Sequence, residues 1–166
     1  MDGSRIVMTL GREVSTKGST FTIRRFRDEP FTPVDLLEFK TFSSMQIAFF
    51  WLAMQYGMSM LFVGGTASGK TTSLNACSLF LPWQHKIVSI EETRELNLPH
   101  PNWIPGCTRQ GFGGESAGSG EKAAGEVDMY DLLRAALRER PEYIIVGEIR
   151  GAEAYVLFQA MATGHT

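Results

Sequence analysis

Gly64-Gly65-Thr66-Ala67-Ser68-Gly69-Lys70-Thr71, with Thr72 directly after it, is the stretch that decides the fold. It matches the spacing G-x-x-x-x-G-K-[ST], and each fixed position has a physical task. The chain must wrap an anion tightly enough for backbone N–H groups to point inward, which leaves little room for side chains at the glycines. A helix that starts at the loop offers its unpaired N–H groups and positive dipole end to phosphates. Lys70 is a mobile point charge for the β- and γ-phosphates, and Thr71 offers a hydroxyl to Mg²⁺. At ordinary glycine usage the pattern arises by chance in about one chain of this length in two hundred. The apolar run before it and the helical run after it lower that figure further.

Working outward, Thr41 to Gly69 carries no charged side chain. Met45 to Val63 is apolar enough to raise the question of a membrane span. Gln46, Gln55, Ser59 and Gly57 interrupt it, so it reads instead as a buried helix, a glycine turn and a buried strand, Ser59 to Val63. Ser43 or Ser44 can cap that helix and Gly57 can end it. Downstream, Lys70 to Leu81 reads as a helix stopped by Pro82, and Lys86 to Ile90 (KIVSI) as a buried strand. Leu96 to Gly106 reads as an irregular loop, and Arg109 to Gly125, with six glycines, as a mobile one. Val127 to Arg140 forms an amphipathic helix, Tyr143 to Val146 a third buried strand and Gly151 to Ala162 a last helix.

Continuous apolar strands alternating with helices indicate an α/β fold with a mostly parallel sheet covered on both faces. Upstream, Ser4 to Leu10 and Thr20 to Phe26 read as two strands of a separate small sheet. The expected division is therefore 1–27 for the end of a preceding domain, 28–40 for a linker and short helix, and 41–166 for part of the phosphate-binding domain. So few strands leave an edge and part of the core open, which points to a piece of a larger protein.

The chain has 166 residues, 16 Lys+Arg and 18 Asp+Glu, a net charge of −2. A duplex-binding protein normally carries a basic excess, so nucleic acid is disfavoured as principal partner. The two cysteines, Cys77 and Cys107, are too few for a disulfide framework or a zinc site and read as reduced thiols of a cytoplasmic protein.

In open α/β sheets ligands sit beyond the carboxyl ends of the strands. KIVSI runs into Glu91-Glu92 and YIIVG into Glu148. A phosphate loop beside two acidic strand ends suits a Mg·ATP site with a carboxylate to orient water. Spacing leaves open whether Glu91 or Glu148 polarises it. Gly147 stands where such strands usually carry Asp, so the metal must rely on Thr71 with waters or on Glu148. Among the arginines, Arg150, two residues beyond Glu148, is the strongest functional candidate.

The segments GGTASGKTT (64–72), SIEETREL (89–96), DLLRAALRERPEYIIVGEIRG (131–151) and ATGHT (162–166) together resemble the type II/IV secretion ATPase superfamily, most closely its archaeal members. STFTIRRF (19–26) is similar to the end of that family's N-terminal domain. The resemblance implies a RecA-like core using ATP and Mg²⁺, with Glu91 in the acidic box and Glu148 as the Walker B glutamate. It implies that Arg134 and Arg138 belong to an L-R-x-x-L-R helix and Arg150 to a G-E-[IM]-R stretch, and that His165 opens a histidine box. It further implies a cytoplasmic homo-hexamer, peripheral at the membrane and docked on an inner-membrane platform protein, powering secretion, pilus or archaellum assembly. A DNA translocase, a P-loop kinase and a nucleotide-binding module without turnover are the competing readings.

Overall fold

The computed structural model describes residues 4–13, 15–27, 29–111, 123–149, 151 and 153–162. Strands β1 (Arg5–Thr9) and β2 (Thr20–Arg24) pair antiparallel, Arg5 opposite Arg24 and Thr9 opposite Thr20, as a sheet of their own. Helix α1 (Pro33–Glu38) follows, opened by a capping box in which Thr32 and Asp35 satisfy each other's backbone N–H. Helix α2 (Ser44–Gln55) has the same device, with Ser43 as cap and Gln46 reaching back.

The second sheet holds β3 (Ile87–Glu91), β4 (Trp103–Cys107) and β5 (Tyr143–Val146) in the order β4-β3-β5, all parallel. Central β3 is buried along its whole length, as a strand covered on both faces must be. Its alternation sorts the core. Ile87 packs with Met54, Cys77, Leu81, Leu96, Tyr143 and Ile145 on the side of α2 and α3 (Lys70–Ser78). Val88 and Ile90 pack with Met129, Leu133, Ala136 and Val156 on the side of α4 (Met129–Arg138) and α5 (Glu153–Ala162). Glu91 closes β3 in phase with Ile87, so its side chain emerges on the α3 side.

Four expectations need correction. Ser59 to Val63 forms no strand; residues 58–64 run without a ladder, and together with β5 they line a cavity of about 650 Å³. A strand needs a hydrogen-bonded neighbour, and a chain paired with β5 would lie within 5 Å of it and leave no such space. The Pro- and Asn-rich stretch taken as loop contains β4, which tolerates Pro105 because it is an edge strand with one unpaired side. The helix expected to reach Leu81 ends at Ser78, and Leu79, Phe80 and Leu81 continue in tighter turns, each N–H donating to the carbonyl three residues back. The helix expected from Val127 starts at Met129 because Val127 exchanges both backbone bonds with Arg109, and the Asp128–Asp131 capping box then sets the start.

The helix read as buried also differs. Met45, Phe49, Trp51, Leu52 and Tyr56 are all exposed, since α2 is apolar on every side and of its residues only Ile47, Ala53 and Met54 are buried, with Phe50 packed partly against the core. Among the described residues no helix is long and apolar enough to cross a membrane.

Candidate functional site

The phosphate-loop segment is a compact turn between residues 58–63 and α3. Ala67 (φ +59°) and Gly69 (φ +89°) both lie in the left-handed region, and Gly69 is the residue that starts α3. A side chain would be strained at Gly69. At Gly64 a Cβ would meet Ser68 Oγ at 2.7 Å, whereas at Gly65 nothing lies within 4 Å. Crowding therefore applies at Gly64 and not at Gly65, while at Gly69 the left-handed backbone rather than lack of space disfavours a side chain. Ser73 makes the first bond of the helix, to the Gly69 carbonyl at 2.8 Å. Helix geometry thus leaves the N–H groups of Lys70, Thr71 and Thr72 directed beyond its start. No side chain caps this end.

Lys70 Nζ donates to the Gly65 carbonyl at 2.6 Å, and Ser68 Oγ donates to the same oxygen at 2.8 Å. The ammonium group thus folds back over its own loop, beside a cleft of about 380 Å³, within the usual range for small-molecule sites. One wall of the cleft is Ala67 to Thr72 and Asn75. The other comes from the hairpin and linker: Arg5, Arg24 to Arg27, Pro30 and Phe31. Thr93, Arg94 and Glu95 close one end. Arg5, Arg24, Arg25, Arg27, Lys70 and Arg94 thus face one cavity, with Glu95 as the sole acid among its described lining residues. In a chain of net charge −2 that concentration of positive charge is specific to the cleft. The sequence reading passed over these hairpin arginines; Arg24-Arg25-Phe26-Arg27, in an acidic chain, was the available signal.

The hairpin is fastened to the β3–β4 connection. Arg5 Nε donates to Thr93 Oγ1 at 2.7 Å, and Arg24 Nη2 pairs with Glu95 Oε1 at 2.9 Å. Arg94 lies against Trp103, its guanidinium carbon 5.3 Å from a ring centroid. Glu91 holds this connection from below. It is 2% exposed, and its Oε1 accepts the N–H groups of Glu95 (2.8 Å) and Leu96 (2.9 Å). Its Cγ would lie 3.1 Å from a Cβ placed on Gly147. A side chain at Gly147, the Asp-like position directly after β5, would therefore crowd that of Glu91.

Burial pushes the Glu91 carboxyl above its ordinary 4.5, and the two N–H donors only partly offset that; nearby Glu95 adds to the rise and Arg94 opposes it. A raised folded-state pKa means that the native state binds the proton more tightly. Its contribution to stability is complete below 4.5 and is lost as pH rises through the folded value. Glu91→Gln keeps an oxygen for the two N–H donors and cannot ionise. The melting temperature of the variant relative to wild type is therefore expected to climb as pH rises above 4.5. A pH-independent difference in thermal melts would refute this.

Glu148 sits just past β5, half-buried, and lines the 650 Å³ cavity together with Gly64 to Thr66, Lys70 and Thr71. Lys70 and Thr71 therefore border both cavities, and Glu148 rather than Glu91 shares one with them. Arg134 and Arg138 are exposed on α4 and line neither cavity; Arg134 leans on Tyr130, 5.6 Å from its ring centroid. Arg150 and His165 lie outside the described residues. His100 is buried with Nε2 2.9 Å from the Leu81 carbonyl, a core contact away from the cleft.

A family model for type II/IV secretion system proteins matches residues 6–166. The chain belongs to that family. An uncharacterized protein of Methanocaldococcus jannaschii is 50% identical over 164 residues, 99% of this chain and 28% of that protein. The type IV secretion system protein PtlH of Bordetella pertussis is 39% identical over 122 residues, 71% of this chain and 33% of that one. Among solved structures, the VirB11 ATPase of the Brucella suis type IV secretion system matches 98% of this chain and 50% of its own, with a TM-score of 0.58 and 25% identity. The type II/IV secretion protein described here thus spans half or less of each of these relatives. Its α/β fold with a parallel three-stranded sheet is the RecA-like ATPase architecture of that neighbour.

Proposed function

We propose that the chain binds Mg·ATP in the cationic cleft and that the protein containing it hydrolyses ATP to power a secretion, pilus or archaellum machine. The observation that carries this reading is the gathering of five arginines and Lys70 on a cavity whose floor is a phosphate-loop turn. The roles follow from placement. Backbone N–H groups of residues 64–72 and Lys70 take the β- and γ-phosphates. The Thr71 hydroxyl and the Glu148 carboxylate fit a magnesium ion, which takes one or two protein oxygens beside phosphate and water. When bound, the ion neutralises charge developing on the phosphates. Glu148 orients and polarises the attacking water. Glu91, tied to two N–H groups, sets the β3–β4 connection and through it the arginine wall.

Arg134 and Arg138 are exposed on α4 and line no part of their own chain's cleft, which leaves them free to reach the nucleotide of a neighbouring subunit in a homo-hexamer. Arg150 is assigned to the same γ-phosphate region. PtlH and the VirB11 ATPase are proteins of type IV secretion systems. By likeness to them, the protein works at the cytoplasmic face of a membrane against an inner-membrane platform protein, with no specific nucleic acid.

Titration of Mg·ATP into the chain, with phosphate release followed with and without duplex DNA, tests the proposal. Saturable ATP binding with DNA-independent release is the expected result. Strong stimulation by DNA would favour a translocase, transfer of phosphate to an acceptor a kinase, and binding without release a passive nucleotide module.

A further inference from the structure

Arg94 stands between two fastened residues. Thr93 Oγ1 accepts from Arg5 Nε at 2.7 Å, and Glu95 Oε1 pairs with Arg24 Nη2 at 2.9 Å. The N–H groups of Glu95 and Leu96 are held in turn by Glu91 Oε1. The backbone that carries Arg94 is therefore fixed on both sides. Its side chain is not. Arg94 takes part in none of the ion pairs of the described residues, and its Nε is buried without a hydrogen-bond partner among them. What it does touch is Trp103, whose ring centroid lies 5.3 Å from the guanidinium carbon. That ring is held in place, because Trp103 Nε1 donates to Ser89 Oγ at 2.9 Å.

A guanidinium group is a fork of five donors, and a buried N–H without an acceptor is costly. A permanently charged side chain left in that condition on an anchored backbone calls for an acceptor that comes and goes. Two kinds of acceptor stand near it. Glu91 Oε2 is likewise buried and unpartnered among the described residues. Burial favours the neutral form of that carboxyl, which weakens its claim on the guanidinium. The other is whatever enters the cleft, which Arg94 lines together with Lys70, Thr71 and Thr72 at the start of α3.

We infer that Arg94 is a phosphate sensor, which exchanges the Trp103 ring for phosphate oxygens when a nucleotide enters the cleft. The inference rests on the nucleotide reading of that cleft. The exchange is favourable because charge-assisted hydrogen bonds to an anion outweigh a cation resting on a ring. It also makes Trp103 a reporter, since the cation leaves its neighbourhood.

Trp51→Phe and Trp83→Phe together leave Trp103 as the single tryptophan of the chain. Mg·ATP is titrated into this protein and into its Arg94→Gln derivative, followed by calorimetry and by tryptophan emission. Emission is expected to change in step with the heat and to saturate with it. Arg94→Gln is expected to lose that change and to bind ATP about tenfold more weakly. Silent emission during saturable ATP binding overturns the sensor without any change at Arg94, and leaves the phosphate-loop reading standing. An undiminished emission change, or undiminished affinity, in an Arg94→Gln protein that melts like its parent overturns it as well. Should the double tryptophan replacement not fold, the same quantity is read as the wild-type signal less that of Trp103→Phe. Failure of wild type to bind ATP overturns the nucleotide reading, and the sensor with it.

Discussion

Lys70→Ala is expected to weaken ATP binding roughly 10- to 100-fold while leaving thermal stability close to wild type. The affinity figure follows from removing one charge-assisted hydrogen-bond donor to phosphate, about 1.5–3 kcal/mol. The stability figure follows from the present contacts of the side chain. Its ammonium group makes one bond, to the Gly65 carbonyl, in an exposed turn where Ser68 Oγ already serves the same oxygen. That bond must break when phosphates enter, so the lysine exchanges a carbonyl partner for an anionic one. Calorimetric titration beside a melting curve separates the two quantities. Unchanged affinity in a folded variant would mean that the ammonium group never leaves the Gly65 carbonyl.

Glu148→Gln is expected to lower ATP turnover by about 10²- to 10³-fold in the assembled protein, with ATP binding retained. A positioned general base contributes a factor of this order, and the amide keeps the shape while losing the basicity. The assignment rests on position. Glu148 lines one cavity with Lys70 and Thr71 at the carboxyl end of β5, where open α/β sheets hold their ligands. Glu91 ends the neighbouring strand but has one oxygen committed to two backbone donors. Single-turnover phosphate release compared between Glu148→Gln and Glu91→Gln is the discriminating measurement. A larger loss from Glu91→Gln would transfer the water-polarising role to that residue.

The parts of this architecture that were legible in the sequence are those written in local chemistry. The turn at 64–71 is spelled out by its glycines, β3 and β5 by short runs rich in Ile and Val, and the start of α2 by a serine cap. The misread parts depend on partners distant in sequence. Whether Ser59 to Val63 joins a ladder is decided by what lies beside it, which its own residues do not encode. Trp103 to Cys107 looks unlike a strand until the free side of an edge makes Pro105 acceptable. The site divides in the same way. Lys70, Thr71 and Glu148 could be named from motif and strand end. The opposing wall could not, because Arg24 and Arg27, about forty positions away, share a cleft with the loop only through folding of the hairpin. Glu91 was recognisable as important, but its partners at Glu95 and Leu96 emerge only from the backbone path.

That opposing wall is lightly hung. Every residue of β2 is exposed, and among the described residues Arg5 to Thr93 and Arg24 to Glu95 tie the hairpin to the β3–β4 connection. An ion pair as open to solvent as the second contributes about 0.2–1 kcal/mol. The hydrogen bond from the charged Arg5 adds about 1.5–3 kcal/mol, so swinging the hairpin aside costs a few kcal/mol and leaves the buried strands undisturbed. On the nucleotide proposal, a polyanion seated beneath this roof would draw it down by contacts stronger than its own moorings.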